Sequence, residues 1–220
     1  MSVLRKQFLA PLVFALGIGS SAANAEPVGI FALLEDNPPN LSQSAAAQGC
    51  SVARQGGVLA RQGNLDLPEV AGFALLSCDD RLLDDPKRVE AAFGGQSPLV
   101  TLEGGLTSFD IPSGVPDPQN REYIIKLSYY NNADLVGRTA DLEELQQLVR
   151  PLSDPYRNEK FLEVHRASGM RTPDEVVVIY YESPAAGDRF RESNQAVLEK
   201  VGAFNKKHLV SFVYLIANAD

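Results

Sequence analysis

The sequence predicts an α+β chain built of two βαββαβ units in tandem, and three observations predict it. A block near the C-terminus reads strand, turn, strand, helix, strand, in that order. The same order of elements recurs in the N-terminal half. The strand Glu175–Glu182 (EVVVIYYE) is apolar on both faces, with Val176, Val178 and Tyr180 against Val177, Ile179 and Tyr181. A sheet of that kind needs a second layer beyond its own helices.

In the second half, Tyr123–Tyr130 (YIIKLSYY) is a strand ended by Asn131-Asn132. It sets Tyr123, Ile125, Leu127 and Tyr129 on one side and Ile124, Lys126, Ser128 and Tyr130 on the other. Thr139 or Asp141 caps a helix in which Leu142, Leu145, Leu148 and Val149 share a face. Phe161–Ala167 and Glu175–Glu182 are rich in β-branched and aromatic residues, and Ser168–Asp174 between them is a run of turn formers, so the pair reads as a hairpin. After Ser183-Pro184 comes a helix with Phe190, Val197, Leu198, Val201 and Phe204 at helical spacing. Leu209–Ile216 (LVSFVYLI) is the last strand.

In the first half, Val28–Leu34 (VGIFALL) is a strand, the Ala-rich Leu41–Arg54 a helix, and Val58–Gln62 and Glu69–Cys78 two further strands. Pro86–Phe93 is a helix with proline in its first turn, and Leu99–Glu103 a closing strand. The stretch from Gly104 to Asn120 is rich in Gly, Pro, Ser and Asp, as a linker is. The divisions are a signal segment at 1–25, one unit at 26–104, a linker at 105–120 and a second unit at 121–220. Each βαββαβ unit makes a four-stranded antiparallel sheet with its helices on one face, the ferredoxin-like arrangement. The two sheets then pack on each other as an intramolecular α/β barrel.

Arg5 and Lys6, the apolar Phe8–Ile18 and the small-x-small site Ala23-Asn24-Ala25 form a secretory signal. Cleavage after Ala25 leaves 195 of the 220 residues. It removes two basic residues and no acidic one, which takes the net charge from −8 to −10. With no basic cluster left, nucleic acid and anionic membrane surfaces are poor candidate partners. The expected address is a bacterial periplasm, with the chain a monomer or homodimer. Cys50 and Cys78 are the two cysteines. An oxidising compartment favours a disulfide between them; the alternative is a reactive thiol partnered by His165. The disulfide also suits the unit's topology, with Cys50 late in the first helix and Cys78 ending the third strand, at the same end.

Phe161-Leu162-Glu163-Val164-His165-Arg166, with the EVVVIYYES run and the helix after it, resembles the antibiotic-biosynthesis-monooxygenase-like domains of the dimeric α/β-barrel superfamily. Gly56-Gly57-Val58-Leu59-Ala60-Arg61-Gln62-Gly63 resembles the glycine-rich second strand of a related barrel family. The superfamily usually builds its barrel from two chains, so the resemblance implies a tandem version here. It also implies a range of activities: cofactor-free oxygenases acting on quinol-like aromatics, haem-degrading and haem-binding proteins, and isomerases. The Trp often found in the oxygenase pockets has no counterpart, because this chain contains no Trp.

His165 shares a strand face with Glu163 and is the candidate catalytic base, haem ligand or ligand-binding group; the plainer reading is a strand histidine satisfied by its neighbours. His208, at a helix end after Lys206-Lys207, is expected to be structural. Tyr129, Tyr130, Tyr180, Tyr181 and Tyr214 sit at strand ends, where they either line a cavity for a flat apolar ligand or simply pack the sheet. The expected pocket is bordered by His165 and at least one of Tyr130, Tyr180 and Tyr181, with Glu163 orienting the histidine. No calcium-loop or zinc spacing, phosphate loop or G-x-S-x-G elbow occurs, so neither metal nor cofactor is expected from the residues. The leading expectation is a binding protein for a small apolar or aromatic molecule or a protein partner, without catalysis. The alternatives are a cofactor-free oxidoreductase or isomerase on quinol-like aromatics, and a haem-binding protein.

Overall fold

The structure is a computed structural model and describes residues 27–109, 118–152 and 156–219. The expected signal segment at 1–25 and residues 110–117 of the expected linker lie outside the described residues. Among the described residues eight strands and five α-helices follow in the order β1 (Val28–Leu34), α1 (Ser42–Ala46), β2 (Cys50–Gly63), β3 (Gly72–Cys78), α2 (Pro86–Ala92), β4 (Val100–Ser108), β5 (Glu122–Tyr130), α3 (Leu135–Val149), β6 (Arg157–Ser168), β7 (Glu175–Tyr181), α4 (Pro184–Ser193), α5 (Gln195–His208) and β8 (Leu209–Ala217). The strands close into one antiparallel barrel. Around the ring they run β2-β3-β1-β4 and then β6-β7-β5-β8, so both halves have the same spatial order. Rather than only packing face to face, the two sheets join at both edges, through β4 with β6 and β2 with β8. Closure of this kind leaves no free strand edge.

Glycines make the two seams possible. A Cβ on Gly104 would stand 1.7 Å from the carbonyl oxygen of Glu163, and one on Gly56 would stand 1.9 Å from that of Asn218. Only a residue without a side chain lets the backbones approach so closely. For this reason β4 continues through Gly104-Gly105 to Ser108, where the sequence suggests a linker.

The alternation read from the sequence separates inside from outside. Ile125, Leu127, Val176 and Val178 join Phe31, Leu33, Phe73 and Leu102 in the barrel interior. Ile124 and Tyr181 face outward under α4, and Tyr130 faces outward under α3 and α5. Ile30, Ala32 and Leu76 pack outward against α1 and α2. At the end where β1 finishes, the interior is plugged by Leu65, Leu67, Val70 and Met170.

Three expectations about helices change. The Ala-rich run keeps only the short α1, because Gly49 at φ +75° turns the chain and residues from Cys50 onward pair with β3. Cys50 therefore opens β2 instead of ending a helix. α3 begins five to seven residues earlier than a cap at Thr139 or Asp141 would place it, capped by Asp134, whose Oδ1 accepts from the Gly137 amide at 2.8 Å. The helix after Ser183-Pro184 is two helices broken at Asn194.

Cys50 and Cys78 are register partners of β2 and β3 and form a disulfide, with Cα atoms 4.0 Å apart.

Candidate functional site

The barrel end opposite the apolar plug is charged. β5 begins there and β7 ends there, since Glu122 pairs with Tyr181. Five side chains converge: Arg54 from β2, Arg121 just before β5, Tyr123 from β5, Glu159 from β6 and Tyr180 from β7. Two lie at register breaks, β2 shifting between Val52 and Arg54 and β6 between Asn158 and Lys160. Such bulges re-aim side chains at barrel rims, and here they turn Arg54 and Glu159 toward each other.

Arg54 and Glu159 form an ion pair, and Glu159 is wholly buried. The Arg54 Nε–H donates to the Tyr123 hydroxyl at 3.1 Å, and its Nη1 donates to the Ala53 carbonyl at 2.7 Å. Arg121 Nη1 lies 3.9 Å from the second Glu159 oxygen, and its guanidinium sits 4.2 Å from the centroid of the Tyr180 ring. Glu159 is held by opposite charge on two sides. Burial works against the Arg54 charge, but Glu159 outweighs it and keeps the guanidinium protonated. Burial, with the Glu159 charge adding to it, raises the Tyr123 phenol, and burial raises that of Tyr180. Both phenols are therefore neutral donors at physiological pH.

The Tyr180 hydroxyl is fully buried and has no hydrogen-bond partner among the described residues. Arg54 also reaches the surface, where it borders a groove of about 330 Å³ lined by Asn40, Ser42, Gln55 and Ala219 among others. That volume is at the lower end of the range for small-molecule sites. Gln55 is fixed there by the Leu41 amide, which donates to its Oε1 at 3.1 Å, and by its own donation to the Pro39 carbonyl at 3.1 Å.

The structure does not bring the sequence-derived site residues together. Only Tyr180 faces the interior. Tyr181 is packed outside the sheet against Phe190 and Tyr156. Tyr130, also outside, donates to Glu175 at 2.8 Å beneath the Arg138 guanidinium. His165 is half-exposed on β6, with its Nε2 3.8 Å from a Glu163 oxygen, and borders none of these tyrosines. His208 is buried, but its Nε2 is engaged by Asp141 at 2.6 Å and its ring rests on Phe204. Neither histidine faces the barrel interior, so a histidine-ligated haem does not fit there. Among the described residues no group of three or more His, Cys, Asp and Glu is placed to hold a metal.

Arg54, Arg121, Tyr123 and Glu159 are not singled out by the sequence. The legible signal was a polar residue on an otherwise apolar strand face: Tyr123 in phase with Ile125 and Leu127.

No protein-family model matches the chain, and no curated protein matches it in sequence. Solved structures do. A mutant chlorite dismutase from Candidatus Nitrospira defluvii, in complex with cyanide, is 14% identical with a TM-score of 0.52, covering 90% of this chain and 92% of that one. A second mutant of the same protein gives 14% identity and a TM-score of 0.50 over 90% and 93%. An anthrone oxidase-like protein is 14% identical over 91% and 95%, with a TM-score of 0.45. The likeness to the chlorite dismutase shows a shared fold, that of the ferredoxin-like α/β barrels.

Proposed function

We propose that the chain is an extracytoplasmic small-molecule-binding barrel, formed by tandem ferredoxin-like units, that takes its ligand at the charged end without catalysis. The observation that carries this reading is the Tyr180 hydroxyl. A buried polar group left without a partner costs about 1–3 kcal/mol, so its retention beside Arg121 and Glu159 is explained by a partner that arrives from outside. The Arg54 groove supplies the approach, and the tyrosine rings supply apolar surface for an aromatic body. A disulfide, with no helix of the described residues long and apolar enough to cross a membrane, is compatible with a secreted or periplasmic protein.

A cofactor-free oxidoreductase needs a base free to take a proton from substrate. Glu159 is the carboxylate nearest the phenols, and it is committed to two guanidiniums. Binding without chemistry fits that arrangement better.

The test is calorimetric titration with benzoate, phenol and a simple quinol, on wild type and on Tyr180→Phe. The expected result is binding of at least one of the three, weakened in Tyr180→Phe, while the half-exposed His165→Ala leaves it unchanged. Binding that ignores Tyr180, or that is lost in His165→Ala, would remove the charged end from consideration.

A further inference from the structure

The geometry points to Lys160 as an amine that captures carbonyl compounds, forming an imine with a small aldehyde at the charged end of the barrel. This goes beyond reversible binding, since it assigns a covalent step to a residue outside the Arg54–Glu159 cluster.

Lys160 and Ser108 are register partners across the seam of β6 and β4, and the Lys160 Nζ donates to Ser108 Oγ at 2.9 Å. The other lysines placed in polar networks are held by carboxylates: Lys126 by Glu175, Lys200 by Glu144 and Lys207 by Asp141. Lys160 forms no ion pair with a carboxylate among the described residues, and its direct partner is a neutral hydroxyl. It is half-buried, and it feels two opposing charges, Glu159 beside it in sequence and the cation of Arg54. Burial lowers its pKa, with Arg54 adding to the fall and Glu159 opposing it, whereas Asp141 raises that of Lys207. A larger share of neutral amine at a given pH makes a better nucleophile.

The step balances without any oxidant or reductant. The neutral Nζ adds to the carbonyl carbon and the oxygen takes a proton, which gives a carbinolamine. Loss of that hydroxyl and the remaining N–H hydrogen as water leaves the C=N bond. The Ser108 hydroxyl, once released by the amine, is in position to hydrogen-bond the departing oxygen. The substrate class is a small aldehyde.

The test uses the full mature protein with limiting 4-carboxybenzaldehyde and sodium cyanoborohydride at neutral pH, followed by peptide mass mapping. The borohydride delivers hydride to the imine carbon and fixes the adduct as a secondary amine. Lys206, Lys200 and Lys207 are more exposed than Lys160 and serve as internal controls. Labelling of Lys160 several-fold above all three is expected, and in Lys160→Arg the dominant adduct disappears. Labelling that follows exposure, with Lys160 at or below Lys206, would overturn the proposal. Reversible binding of benzoate, phenol or the quinol without a Lys160 adduct would overturn this inference and leave the binding reading standing; an adduct with none of the three bound would do the reverse.

Discussion

Arg54 and Glu159 form an ion pair across the barrel, between two strands separated by three others around the ring in either direction. Each reaches the interior at a break in strand register, so the pair joins the first half of the chain to the second through the barrel as well as around it. Taking one member from a buried pair leaves an uncompensated charge, which costs roughly 3–5 kcal/mol. Glu159→Ala strands two guanidiniums and is expected at the top of that range. Arg54→Ala costs less, because Arg121 remains 3.9 Å from the carboxylate. Urea unfolding of both variants checks the order, and equal losses would show that Arg121 does not share the load.

The seam glycines give a second prediction. Gly104→Ala and Gly56→Ala each drive a methyl group into the opposite backbone, and overpacking of that kind costs about 1–3 kcal/mol or more. Gly202, inside α5, has nothing within 4 Å of where a Cβ would stand. Gly202→Ala is therefore expected to stabilise by about 0.5–1 kcal/mol through helix propensity. Thermal melts of the three variants should split in sign.

The disulfide ties the start of β2 to the end of β3. Cys50 and Cys78 are separated by 28 residues, and closing a loop of that size stabilises by roughly 3 kcal/mol in the chain-entropy model. The unreduced protein should weigh two hydrogens less than its sequence. Its melting temperature should fall when the bond is reduced, which is measured by scanning with and without a thiol.

Asp141 supplies a pH dependence. Hydrogen bonds from Lys207 and His208 lower its pKa in the folded state. A depressed carboxylate stabilises the fold fully above its unfolded pKa of about 4, and that contribution is lost as the pH falls through the lower folded value. The stability difference between wild type and Asp141→Asn should therefore be present at about pH 5 and shrink steadily in more acid solution. A difference that grows on acidification would contradict the assignment.

Strand identity is legible because runs of β-branched and aromatic residues mark β1, β5, β7 and β8, where one face meets the interior and the other meets helices. Strand phase sets Tyr180 and Tyr181 on opposite faces, and the structure decides that Tyr180 is the inward one. The first helix was misread because alanine content argues for helix, while pairing of Cys50–Gly57 with β3 decides for strand. The charged end was not legible for a related reason. Arg54 falls in the stretch expected to be helical and Glu159 ahead of the strand expected to begin at Phe161, and the bulges that aim them inward leave no mark in a pattern of apolar residues. His165 drew attention by its rarity; its neighbours in space, not its residue type, set what it can do.

Closure within one chain frees the barrel from the rule that governs symmetric assemblies. When two identical subunits build such a barrel, every side chain appears twice, and a residue near the axis meets its own copy or a partner that is also duplicated. Here the second strand of one half presents an arginine and the second strand of the other a glutamate. Corresponding strands thus carry opposite charges at one end of a single enclosure, a polarity between halves that identical subunits could not encode.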